Sequence, residues 1–126
     1  MVRTKEQLVS DAQPFSDKVI EYLPGRGGGP KLAYVSWTHY AQRMLLIHGG
    51  HRYSVTNMVA GSDGRYAVSV RVQFDDDEWY DGVGIDSDAD KAESQAYKRA
   101  CAHAGIGLHL YGGYWLLGAL GTPEEG

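Results

Sequence analysis

Two adjacent basic residues, Lys98 and Arg99, carry the clearest possible chemistry in this sequence. With Lys91 and Arg71 they form a candidate phosphate-contacting cluster, because ammonium and guanidinium groups make charge-assisted hydrogen bonds to phosphate oxygens. A strand pattern that places Arg65 and Arg71 on one face adds to this interpretation. The alternative is an ordinary solvated helix face, and the pattern alone does not decide between the two.

The basic pair lies on a helix that is predicted from about Asp88 to Ala104. Ser87 is the predicted N-cap, and acidic residues in the first turn suit the positive end of a helix. One face of this helix is mostly small, so it can lie close to a sheet. That face consists of Ala89, Ala92, Ala96, Ala100 and Ala104.

Three strands are predicted before this helix. Residues 52–60 are rich in Tyr, Val and Thr, and a Ser-Asp-Gly turn follows at 62–64. Residues 65–74 alternate between apolar side chains and small or basic ones, which indicates a strand with one buried face. A third strand is predicted at 78–85, where Gly82 and Gly84 allow another backbone to come close.

An amphipathic helix is predicted at 36–48, capped by Ser36 and ended by Gly49-Gly50. Residues 33–35 form an extended lead-in, and residues 3–23 show a weak helical pattern that Pro14 interrupts. A run rich in glycine and proline at 24–30 separates this segment from the main body. Residues 108–120 are expected to form a short strand or a docking segment.

The sequence therefore predicts an α+β fold, in which a three-stranded antiparallel β-meander follows one helix and carries an alanine-rich helix packed on the sheet. The predicted organisation is an N-terminal helical arm with a glycine-rich linker (1–30), an α+β domain (31–120) and a frayed tail (121–126). Two helices on three strands make a thin core, so we expect a homo-oligomer.

Bulk properties limit the possible function classes. The net charge of -4 excludes a general basic coat for nucleic acid, so phosphate contact needs a local cluster. No apolar run approaches the roughly 20 residues of a membrane span, and no signal peptide is evident. The single cysteine excludes an internal disulfide and fits a reducing compartment. We therefore expect a cytoplasmic protein without a membrane partner.

Other reactive residue types are better explained by structure than by chemistry. The five histidines and Cys101 match no standard zinc spacing, so no metal site is expected. The acidic run at 75–78 is typical of a solvated hairpin tip, although a cation site or a cation-dependent nuclease is the alternative. The run 25–29 lacks the Lys-Ser/Thr of a phosphate loop. No nucleophile stands beside a base, so we expect neither an enzyme nor a cofactor.

The order of these elements, with their residues, resembles the Rad-fifty-two family of single-strand annealing proteins, with phage-encoded and DdrA-like members nearest. The resemblance spans about residues 33–111. It rests on Tyr34–Met44, Val68–Phe74, Tyr80–Gly84, Lys91-Ala92, Tyr97–Ala100 and Gly105.

This resemblance implies a β-β-β-α core that assembles into a ring or filament, with single-stranded DNA in an outer groove. Lys98 and Arg99 match the family's groove pair, and Tyr34 lies near its aromatic residue before the first helix. His39 stands where the family tends to carry arginine, and Ala102 where a further base is common. The implied activity is ATP-independent annealing of complementary strands in recombination or repair, with an exonuclease or a single-strand binding protein as possible partners.

A ring would repeat the small basic cluster along one track, so an acidic subunit can still contribute to a positive groove. A second function class stays open. The acidic isoelectric point of about 5.6 favours an oligomeric protein–protein interaction module that binds no nucleic acid.

Overall fold

The computed structural model describes residues 3–24, 29, 32–74 and 78–112. Its helices are α1 (Lys5–Asp11), α2 (Trp37–His48), α3 (Ala89–His103) and α4 (His109–Gly112). Its strands are β1 (Glu21–Leu23), β2 (Leu32–Tyr34), β3 (Arg52–Ala60), β4 (Tyr66–Gln73) and β5 (Tyr80–Asp86). The predicted α+β class and the antiparallel meander are confirmed, because β4 pairs antiparallel with both β3 and β5.

Helix α2 begins and ends where its capping residues predict. The Ser36 hydroxyl accepts a hydrogen bond from the backbone N–H of Thr38 at 3.4 Å. Gly49 ends the helix in the left-handed region, with a φ of 73°, which costs glycine little because it has no Cβ. Tyr40 and Met44 are buried and attach α2 to the core.

The core lies between α3 and the sheet. The three valines on the apolar face of β4 are buried, and the alanine face of α3 packs against β4 and β5. A Cβ added at Gly84 would lie 2.0 Å from the carbonyl oxygen of Ala92, and one at Gly82 would lie 2.2 Å from that of Ala96. The predicted small-residue contact is therefore confirmed, since it brings helix backbone against strand backbone.

Two local predictions about the N-terminal half and α3 are wrong. The helical pattern up to Leu23 does not persist, because α1 ends at Asp11 and Glu21–Leu23 forms β1, which pairs antiparallel with β2. The N-cap of α3 is Asp88 instead of Ser87. Asp88 has extended backbone angles, and its carboxylate accepts from the N–H groups of Asp90 and Lys91.

The N-terminal segment packs into the same core as the sheet. Arg3 donates hydrogen bonds to the Asp11 carboxylate at 3.0 Å and to the Ala104 carbonyl at 2.8 Å. His48 donates from Nε2 to the same carboxylate at 2.9 Å. Phe15 is buried against Tyr40, with ring centroids 4.9 Å apart. The domain boundary at residue 30 stays a prediction.

The C-terminal end of the described chain is helical. Residues 109–112 form α4, so a strand is wrong for this part of the predicted strand or docking segment. Residues 113–126 and the acidic residues 75–77 lie outside the described residues. Among the helices of the described part, none is long and apolar enough to cross a bilayer.

Candidate nucleic-acid interface

Lys98 is a buried lysine on α3, held against the β2–α2 junction. Only 8 % of the residue is exposed. Its ammonium donates to the carbonyl oxygen of Val35 at 3.3 Å and lies 3.9 Å from the ring centroid of Tyr34. The structure therefore brings together two of the residues that the sequence singled out. Lys98 is not the freely solvated lysine of the alternative interpretation.

Burial also changes the acidity of this lysine. Desolvation lowers the pKa of Lys98 to about 8, because removal from water disfavours the charged form. No neighbouring charge contributes to this shift. An ammonium has three N–H donors, and Val35 accepts only one of them in the described contacts. An anion that reached this ammonium would restore the favourable interactions that burial removes.

Arg99 points to a different part of the surface. It is exposed, and its guanidinium donates to the carbonyl oxygen of Val83 on β5 at 2.8 Å. It also lies near Tyr111, whose pKa is raised by burial and lowered in part by Arg99. The two members of the basic pair therefore contact different elements, with Lys98 at the β2–α2 junction and Arg99 at the outer edge of β5.

Arg99 is the middle member of a row of three α3 side chains along that edge. Gln95 accepts from the N–H of Ile85 at 3.3 Å. His103 donates from Nδ1 to the carbonyl of Asp81 at 2.6 Å. Four helical residues rise about 6 Å, and two strand residues rise about 6.7 Å, so side chains four apart on α3 match backbone groups two apart on β5.

This row covers the edge of β5 that pairs with no strand among the described residues. An uncovered edge would present unpaired backbone groups. Sequence reasoning missed Gln95 and His103 as members of it. A signal was present, since Gln95, Arg99 and His103 recur every four residues beside the alanine face. That spacing does not show which strand the three side chains contact.

The remaining predicted contact residues lie apart from Lys98. Arg71 alternates with the buried residues of β4, so it lies on the sheet face opposite α3, where it pairs with Asp81 at 3.2 Å. Arg65 pairs with Asp63 at 3.0 Å beside the β3–β4 turn. Lys91 is exposed in the first turns of α3, and His39 is half-buried on α2.

The described residues hold no group of three His, Cys, Asp or Glu side chains that could bind a metal ion. Two of the predicted DNA contacts stand out in the described structure. Lys98 lies over the Tyr34 ring, and Arg99 is exposed at the β5 edge. Arg65 is paired with Asp63 in the adjacent turn, and Arg71 is paired with Asp81 on the neighbouring strand β5.

No protein-family model matches the chain. A search of curated proteins finds DNA repair RAD52-like protein 1, mitochondrial, of Arabidopsis thaliana, at 32 % identity over 96 residues. The chain is similar to a RAD52-like DNA repair protein. The match covers 66 % of this chain and 54 % of the relative, so the chain spans about half the length of that protein. This similarity supports a Rad-fifty-two type of family and no finer subdivision.

Proposed function

We propose that this protein binds single-stranded DNA and anneals complementary strands in recombination or repair, without ATP and without a catalytic centre. The observation that carries the proposal is Lys98, a nine-tenths buried cation over Tyr34 with no carboxylate partner among the described residues. A buried cation without an anion is costly, and a phosphate oxygen is the anion that DNA supplies. The similarity to a DNA repair protein supports the same conclusion.

Arg99 extends this site in the proposal. Its guanidinium is exposed, and it can exchange the Val83 carbonyl for a phosphate oxygen without desolvating a new charge. Tyr34 would support the lysine, and His39 and Lys91 would contribute at the margins. Arg71 and Arg65 would contact DNA only after leaving Asp81 and Asp63, so we expect them to contribute least.

We further propose that the active form is a homo-oligomer, either a ring or a filament. Large apolar side chains are exposed on α2, for example Leu46 at 81 % and Leu45 at 61 %. The net charge of -4 gives one subunit little attraction for DNA, whereas repeated sites act together. This proposal also includes a location in the cytoplasm and a phage-encoded or DdrA-like subtype. Its possible partners are an exonuclease or a single-strand binding protein.

The test compares DNA affinity of two double variants. Lys98→Ala with Arg99→Ala removes the proposed contacts, and Lys5→Ala with Lys18→Ala removes the same charge from exposed positions in the N-terminal segment. Fluorescence anisotropy with a labelled single strand is measured over a salt series. Since each phosphate contact contributes about 0.7 to the log–log salt slope of a single strand, the first variant should lower both affinity and slope.

The control variant should change the slope much less. If both variants bind DNA equally well, the site assignment is wrong. The same exposed apolar residues also favour the second candidate, an interaction module that binds protein only. Absence of salt-dependent binding by the wild type would exclude the first candidate and leave the second.

A further inference from the structure

A groove of about 630 Å³ opens between α2, α3 and β3. Its lining combines aromatic rings with carboxylates, and we name it the aromatic–acidic groove. The lining residues include Trp37, His51, Tyr53, Asp90, Glu93 and Tyr97.

Tyr97 is the centre of the aromatic wall. The Trp37 ring meets it edge-on, with centroids 6.3 Å apart, and the Tyr53 ring lies 5.4 Å away. Trp37 and Tyr53 are also partly open to solvent, with exposed fractions of 49 % and 40 %. Aromatic faces attract cations electrostatically, and tryptophan does so most strongly.

The charge of the groove is negative. Asp90 and Glu93 lie three residues apart on α3, so they share one helix face. Tyr53 donates a hydrogen bond to Glu93, which orients that carboxylate. Burial, and next the neighbouring His48, lower the pKa of His51, which makes this ring harder to protonate than an exposed histidine. No lysine or arginine is among the lining residues. A phosphate chain is repelled here, and a cation is attracted.

Strand β3 contributes Tyr53 to the groove and lies at one edge of the described three-stranded sheet. Within the described part of the chain, β3 pairs only with β4, so its outer edge presents free backbone groups. Val55 and Met58 on this strand are 41 % and 54 % exposed. A segment that adds to such an edge gains main-chain hydrogen bonds and directs alternate side chains into neighbouring pockets.

We propose that the aromatic–acidic groove binds an arginine side chain from an extended segment of a partner protein, whose backbone pairs with β3. The guanidinium is planar, so it can lie on the Trp37 or Tyr53 ring while its N–H groups reach Asp90 and Glu93. This goes beyond DNA binding, because the site selects a charge opposite to that of a phosphate backbone.

The experiment uses Trp37 as its reporter. The full-length protein carries Trp79→Phe and Trp115→Phe, which leaves Trp37 as the one tryptophan of the chain. The probes are two capped peptides, Gly-Gly-Arg-Gly-Gly and the same sequence with citrulline, which keeps the shape of arginine without its charge. We expect a saturable fluorescence change with the arginine peptide and at least about tenfold weaker binding of the citrulline peptide.

Matched variants locate the site. Glu93→Gln with Asp90→Asn should weaken arginine-peptide binding at least about fivefold. Glu6→Gln with Asp17→Asn removes two exposed carboxylates outside the groove and should leave binding unchanged. Circular dichroism checks that each variant is folded. Equal binding of the two peptides would overturn the proposal. So would a larger Trp37 response to an adenine oligonucleotide than to the arginine peptide, since nucleobases would then be the occupant.

Discussion

Lys98 gives the proposed interface an unusual dependence on pH. Its pKa in the folded protein is about 8, against about 10.4 for an exposed lysine. Phosphate contact needs the protonated form, so DNA affinity should fall as pH rises through about 8. Folding stability should change in the opposite direction. Above pH 8 the unfolded chain holds this proton more tightly than the folded one, so stability rises with pH over that window.

The size of the effect on binding follows from the titration. With a pKa of about 8, roughly 90 % of Lys98 is charged at pH 7 and roughly 10 % at pH 9, so the affinity should fall about tenfold for a single lysine contact. An arginine contact should not change, because guanidinium stays charged over this range. The assay is anisotropy at constant ionic strength, with a labelled adenine oligonucleotide that carries no terminal phosphate and no base that titrates between these pH values.

Two variants separate Lys98 from the rest of the site. Lys98→Arg should remove the tenfold pH ratio, while Arg99→Ala should lower the affinity at both pH values and keep the ratio. An unchanged affinity of the wild type between pH 7 and 9 would refute the reasoning. The same ratio in Lys98→Arg would refute it equally, because another group would then be responsible.

Three further predictions concern stability and assembly. Asp11→Ala removes the buried acceptor shared by two side chains, and should lower the free energy of unfolding by about 3 kcal/mol in urea; a loss below about 1 kcal/mol would contradict this. Gly84→Ala places a Cβ 2.0 Å from the Ala92 carbonyl and should cost about 3 kcal/mol, whereas Val83→Ala on the exposed face serves as control. Leu46→Glu should lower the oligomer mass by light scattering while circular dichroism still shows the folded helix signal, and an unchanged mass would exclude Leu46 from the subunit contact.

Sequence patterns predicted the helices and strands whose structure depends mainly on residues nearby in the chain. Strand β4 follows from strict alternation, since Val68, Val70 and Val72 are each at most 1 % exposed. Helix α2 follows from Ser36 and Gly49, which cap its two ends through contacts with Thr38 and Leu45 nearby in the chain. The N-cap of α3 was missed by one residue because Ser87 and Asp88 are both good capping residues, and backbone angles decide between them.

Features that depend on distant partners could not be predicted. Strand β1 exists because Leu32–Tyr34 pairs with it across the glycine-rich run. Lys98 is buried because Tyr34 and Val35, more than sixty positions earlier, cover it. A Lys-Arg pair in a sequence does not reveal that one side chain is desolvated and the other lies along a strand edge. The proposed DNA contact of Lys98 and Arg99 follows from the resemblance to a family, whereas the positions of the two side chains are visible only in the structure.

Strand annealing by the purified wild-type protein tests the central claim most directly. Two complementary oligonucleotides with a donor and an acceptor dye are mixed at low salt, with and without the protein, in the absence of ATP and of any other nucleotide. We predict that the protein accelerates duplex formation well above the spontaneous rate, and that added salt abolishes the acceleration. A rate equal to the spontaneous one at low salt would contradict the proposed function.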